Sequence, residues 1–139
     1  MKNIVFIIVV FIMLGGCSMD KNIRIQGIVL STNQIPWISK EGWEPTQEDI
    51  DIAEPIIVDF IKIKNKKIFS NLGRYKCQYF GIFKDNKKRI YCNFFYFTED
   101  IKDWKSKPIE VDDGGDCYFQ LEYDVENKEC LNFRVNGKA

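Results

Sequence analysis

The segment Lys88 to Thr98 is apolar on both faces of an extended chain. Ile90, Cys92, Phe94 and Tyr96 alternate with Tyr91, Phe95 and Phe97. A strand with one face in water needs only one apolar set, so this one has to be covered on both sides and belongs in the middle of a sheet. More aromatics, Tyr75, Tyr79, Phe80 and Phe83, sit just ahead of it. Its first face is the place for a helix. Its second face has two readings: loops such as 31–45 close over it, or Tyr91, Phe95 and Phe97 meet a partner, a ligand or another copy of the chain.

A helix to cover the first face starts at Thr46. Thr46 with Asp49 three residues on has the form of a capping box, with acids in the first turn. At about 100° per residue, Ile50, Ile52, Ala53, Ile56, Ile57, Phe60, Ile61 and Ile63 cover about half of the circumference. Asp51, Glu54, Asp59 and Lys62 take the other half. So wide an arc predicts a helix held in the palm of a curved sheet, with Phe60 among the most buried residues. Pro55 falls on the polar side, where water replaces the hydrogen bond it removes, and a kink is expected there. Lys64, Lys66 and Lys67 suit the negative end of the helix dipole.

The rest of the chain reads as strands and loops. Ile23 to Leu30 is a strand. Residues 31–45, with Pro36, Trp37, Gly42, Trp43 and Pro45, form a loop with two aromatic anchors. Arg74 to Lys84 and Lys88 to Thr98 flank Asp85-Asn86-Lys87, a hairpin turn. Paired about that turn, Cys77 faces Tyr96 and Cys92 faces Gly81. Pro108 to Asp112 and Asp116 to Asp124 read as one interrupted strand region. Cys130 to Asn136 closes a second hairpin over Glu126-Asn127-Lys128. Pairing Tyr123 with Leu131 puts Phe119, Leu121, Tyr123, Leu131, Phe133 and Val135 on one face, leaving Gln120, Glu122 and Arg134 on the other. One strand, one long helix and an antiparallel meander of strands predict a single α+β domain over 23–139, with a sheet of four to five strands.

Charge and residue types narrow the chemistry. The 139 residues include 20 basic and 20 acidic ones and no histidine. A near-neutral chain has no electrostatic reason to bind nucleic acid. Without histidine there is no Ser-His or Cys-His pair and no His-ligated metal. Asp112-Asp113-Gly114-Gly115-Asp116 offers three carboxylates, but its spacing is not that of an EF-hand loop, and paired glycines in a strand region predict a bulge before a metal site. No cofactor is implied. Cys77, Cys92, Cys117 and Cys130 are an even set without a Cys-x-x-Cys pair, which disfavours zinc and thioredoxin-like chemistry. In an exported chain they could form up to two disulfides. The hairpin register keeps Cys77 and Cys92 apart, so a bridge would tie one of them to Cys117 or Cys130.

The N-terminus has Lys2, an unbroken apolar run from Ile4 to Leu14, and then Leu14-Gly15-Gly16-Cys17. As a helix the run spans about 16 Å against a hydrocarbon core of about 30 Å, too short to cross. This start resembles a bacterial lipoprotein signal peptide ending in a lipobox. The resemblance implies removal of residues 1–16, lipidation of Cys17 and a short tether over 17–22. The domain would then lie outside the cytoplasm, lipid-anchored at the cell membrane or outer membrane.

The helix-and-meander layout resembles the cystatin-like and NTF2-like folds, in which a curved antiparallel sheet wraps one long helix. Asp113-Gly-Gly-Asp-Cys-Tyr-Phe, with Tyr123-Asp124 and Val135-Asn-Gly-Lys-Ala139, also resembles the ending of small uncharacterised bacterial proteins and brings no activity with it. Cystatin inhibitors present a Gln-x-Val-x-Gly hairpin and a later Pro-Trp hairpin. Here Gln78-Tyr-Phe-Gly81 is one residue short and within a strand, and Pro36-Trp37 precedes the helix, so the inhibitory wedge is not supported. An NTF2-like pocket needs convergent acid or base groups beside the helix, whereas Ile50 to Ile63 offers the sheet only aliphatic residues and Phe60. The expectation is a membrane-anchored envelope module that binds a protein or peptide, of the inhibitor or immunity type. The alternative is an NTF2-like small-ligand carrier or pocket enzyme.

Overall fold

The computed structural model describes residues 23–36, 38 and 42–138. The leader, Cys17, the tether and Trp37 lie outside the described residues. In chain order the elements are β1 (Gln26–Val29), β2 (Gly42–Trp43), α1 (Gln47–Lys64), α2 (Lys66–Ser70), β3 (Tyr75–Lys84), β4 (Lys87–Tyr96), β5 (Tyr118–Asp124) and β6 (Glu129–Val135). The sheet runs β1-β3-β4-β5-β6, and β2 also pairs with β3. The fold is α+β, with one main helix and a mixed sheet of six strands.

The expected sheet, antiparallel and of four to five strands, needs two corrections. β1 pairs in parallel with β3, from Gln26 opposite Lys76 to Val29 opposite Tyr79. The chain crosses over through α1 before it returns, and a crossover of that length delivers a parallel neighbour. β2 fills the rest of the same edge, with Trp43 opposite Gly81. Two residues inside a loop carry no alternation to read. Their approach is so close that a Cβ on Gly81 would lie 1.9 Å from the Trp43 carbonyl oxygen, so this position needs glycine.

α1 begins as its sequence dictates. Thr46 Oγ1 accepts from the Asp49 backbone N–H at 3.2 Å, and the Asp49 carboxylate accepts from the Thr46 N–H at 2.7 Å. The helix is continuous through Pro55, which is exposed. Its buried stripe is Ile50, Ala53, Ile57 and Ile61. Ile52 and Ile63, at 46% and 84% exposure, lie outside it. Both fall about 120–140° round the helix from Ile57, beyond what a single sheet can cover. Phe60, expected among the most buried residues, is half-buried and meets Phe133 edge-on at 6.0 Å. α2 follows at once, capped by Asn65, whose Oδ1 accepts from the Ile68 N–H at 3.0 Å. It sends Ile68 into the same core, which Leu72 joins.

Both hairpins differ in register from the expectation. Asp85 and Asn86, with φ of 53° and 61°, make a two-residue turn of the type that matches strand twist. Cys77 is therefore opposite Phe94, and Cys92 is opposite Tyr79. In the second hairpin Phe119 is opposite Val135 as expected, but Tyr123 meets Cys130 and Glu122 meets Leu131. A bulge takes up the extra residue, with Asn132 at φ 53°. Cys130 thus takes the place on the Tyr123 face expected for Leu131.

Residues 108–112 are not a strand. Pro108 has no N–H to give, and the polar groups of Ile109 bond to side chains of the sheet. The glycine pair forms a 3-10 turn, Gly115–Cys117, ahead of β5, and not a bulge within a strand. Gly114 and Gly115 have φ of 93° and 59°, a backbone that favours glycine. Among the described residues no cluster of acids and cysteines could hold a metal ion. Asp116 pairs instead with Lys67 at 2.6 Å.

The four described cysteines are free thiols, which corrects the expectation of disulfides. Cys77 and Cys92 lie diagonally on neighbouring strands, two positions out of register. Cys117 and Cys130 lie at the starts of β5 and β6, at opposite ends of an antiparallel pair. The helix-side core is closed, with Ala53, Ile57, Ile61, Cys77, Ile90, Cys92, Phe94, Phe119 and Leu121 at 0% exposure. Phe94 and Phe119 stack in its centre at 4.4 Å.

Candidate functional site

The sheet face turned away from α1 is a different environment. One row of polar side chains crosses it: Gln78 opposite Asn93, Asn93 opposite Gln120, and Gln120 opposite Arg134. At the β3 end the row is covered. Gln78 is fully buried, and its amide nitrogen donates to the carbonyls of Trp104 and Lys107 at 2.6 and 2.7 Å. Its Oε1 accepts from the Ile109 N–H at 2.9 Å and from Asn93 Nδ2 at 3.3 Å. The strapped segment carries Trp104 over Phe95, ring centres 5.8 Å apart. A second cover comes from the other side, where Leu30 and Ile35 bury Phe80.

Between these covers the face is open. Two adjoining clefts, of about 380 and 310 Å³, share Tyr91, Gln120 and Arg134. Ile38, Ile82, Lys84, Glu122 and Asn132 complete the first. Asn93 and the stretch from Ile109 to Asp112 complete the second. Together they form one trough with Tyr91 and Arg134 at its middle.

Charges in the trough are ordered. Glu122 gathers donors: Arg89 at 2.9 Å, Lys84 at 4.0 Å, and the Asn132 amide. Arg134 Nε donates to Gln120 Oε1 at 3.3 Å. Gln120 donates in turn to Asn136 Oδ1 at 3.2 Å, and Asn136 donates to the carbonyls of Val111 and Asp113 at 2.5 and 3.0 Å. Burial pushes the Tyr91 hydroxyl up, and Arg134 draws it partly back.

Of the residues singled out from sequence, Tyr91 lines the trough. Phe95 lies on the same face but is fully buried beneath Trp104, which removes it from any contact surface. Phe97 is half-buried, and the Lys76 ammonium stands 3.8 Å above its ring. Sequence reasoning passed over Gln78, Asn93, Gln120 and Arg134 as site residues. Their signal is present, since each interrupts an apolar strand with a polar group, but only the register aligns them in a row.

The helix side offers less. A further cleft of about 400 Å³ lies along α1, lined by Ile23, Arg24, Asp51, Glu54 and Pro55. Its Glu54 is occupied in accepting the Ile25 N–H at 2.8 Å. Beneath α1 the hydroxyls of Tyr79 and Tyr123 are buried and have no partner among the described residues, and burial raises both. No family model, no curated protein and no solved structure matches the chain.

Proposed function

We propose that this chain is a lipid-anchored bacterial envelope protein whose domain binds a protein or peptide through the trough centred on Tyr91. The observation that carries the reading is the trough itself. It is an open, half-apolar groove on a sheet face that is otherwise deliberately covered, with a half-buried tyrosine and a positioned arginine at its middle. The supports of the anchoring are the apolar run Ile4 to Leu14 and Cys17 directly after Gly15-Gly16. The helix laid on the hairpins β3–β4 and β5–β6 supports a cystatin-like or NTF2-like layout, from which the parallel β1 departs. The filled core around Ala53, Ile57 and Ile61 weighs against a ligand pocket of the NTF2-like kind beneath the helix.

Two measurements test this reading. Cys17→Ser should abolish leader processing and acylation, read as the intact mass of the chain and its N-terminus; a parent chain that carries no acyl group, or a variant still cleaved before residue 17, would remove the anchor. A photo-crosslinking residue at position 91 should give one discrete adduct in the native envelope, and the same residue at position 59, on the exposed side of α1, should give none. Equal labelling from both positions would remove the trough as the binding face.

A further inference from the structure

The relay that ends in Arg134 has a consequence for what the trough recognises. Gln120 is 8% exposed, and its amide nitrogen is committed to Asn136, so its oxygen is turned toward Arg134. That oxygen holds the guanidinium by Nε alone. The two terminal nitrogens of Arg134 have no partner among the described residues. Nor has the Tyr91 hydroxyl, which lines the same two clefts. An exposed guanidinium, tethered at Nε, and a phenol thus open onto one groove, all offering donors. Nearby Glu122 directs one oxygen, Oε2, toward Arg89, Lys84 and the Asn132 amide, and no hydrogen bond joins it to Arg134.

We propose that Arg134 and Tyr91 form a carboxylate subsite, which receives an acidic side chain or a C-terminal carboxylate of the bound peptide. The inference rests on the peptide-binding reading of the trough. A guanidinium with both terminal nitrogens free matches a carboxylate in two parallel hydrogen bonds. Phosphate fits less well, because Glu110, Asp112 and Glu122 line the same trough and oppose a dianion more than the single charge of a carboxylate. Tyr91 adds a neutral donor, while the discrimination against an amide comes from the Arg134 charge and from paired donors that an amide NH2 group cannot accept.

Benzoate serves as the probe, with benzamide and inorganic phosphate as controls, titrated into the full chain in non-ionic detergent. Nuclear magnetic resonance of labelled arginine and tyrosine reads the site. Saturable shifts of Arg134 and Tyr91 are expected with benzoate at millimolar concentration, and none with benzamide. Arg134→Gln should weaken benzoate at least tenfold, Arg134→Lys less, and Tyr91→Phe about threefold, each with the remaining spectrum unchanged. Equal binding of benzamide, tighter binding of phosphate, or benzoate shifts that survive Arg134→Gln would overturn the proposal. Benzoate binding without a cross-link at position 91 would leave the subsite standing and remove the peptide reading. A discrete cross-link with no benzoate shift would do the reverse.

Discussion

Gln78 and Asn93 face each other across β3 and β4, and between them they hold the segment 104–109 against the sheet. Asn93 Nδ2 donates to Gln78 Oε1 at 3.3 Å and to the Ile109 carbonyl at 2.8 Å. With the bonds from Gln78 to Trp104, Lys107 and Ile109, this pair satisfies the backbone of a segment that has no strand partner.

Gln78→Ala should therefore destabilise the domain by at least about 2 kcal/mol, because it leaves buried backbone groups unpaired. Hydrogen exchange gives the sharper test. The Ile109 amide should lose its protection in the variant while amides of β5 and β6 keep theirs. Unchanged protection at Ile109 would show that the strap is held by Trp104 packing alone.

The orientation of α1 predicts a contrast between two isoleucines of one helix. Ile57 is fully buried and Ile63 is 84% exposed. Ile57→Ala should cost about 2–5 kcal/mol through lost burial and a cavity. Ile63→Ala should change stability by no more than about 0.5 kcal/mol. Urea unfolding of both variants checks this, and similar losses at the two positions would mean that the helix sits differently on the sheet.

Stability toward acid should depend on Asp124. Its carboxylate accepts the Asn127 backbone N–H at 2.9 Å and the Asn127 side-chain amide at 3.1 Å, which hold its pKa below the usual carboxylate value. A carboxylate depressed in the folded state contributes stability above its unfolded pKa of about 4 and loses it as pH falls through the lower folded value. Asp124→Asn should be less stable than the parent at pH 7, and the gap should narrow toward pH 3. Urea midpoints across that range decide it; a gap independent of pH would exclude the carboxylate as the cause.

Thiol chemistry tests the cysteines. Burial pushes the Cys130 thiol up to about 12 and raises that of Cys77, while Cys92 is fully buried. All three should resist alkylation in the folded chain, leaving half-buried Cys117 to react first. In denaturant without reductant, Cys77, Cys92, Cys117 and Cys130 should all react. A count lower by two would indicate a disulfide.

Local chemistry made much of this fold legible. The Thr46–Asp49 capping box, the apolar stripe through Ile57 and Ile61, and the two-sided strand around Phe94 and Phe95 are patterns of neighbouring residues. Each is read at the period of the element it builds. What depends on one residue more or less in a turn was not legible in the same way. Asp85-Asn86 closes a hairpin in two residues, and Asn132 absorbs a bulge. Both choices displace partners across the sheet without altering the alternation along either strand.

The trough lies on the second side of that divide. The sequence by itself determined that the strand around Phe94 and Phe95 needs cover on both faces and that a helix starting at Thr46 supplies one of them. It also determined that histidine chemistry has no place here. Only the tertiary structure decided that Trp104 covers Phe95 while Tyr91 stays open, and that Gln78, Asn93, Gln120 and Arg134 fall into one row. Those outcomes join residues far apart in the chain, and they follow from strand register and the path of a strap held by two buried amides. Both are set by long-range packing and hydrogen bonding, which leave no periodic trace in the amino-acid order.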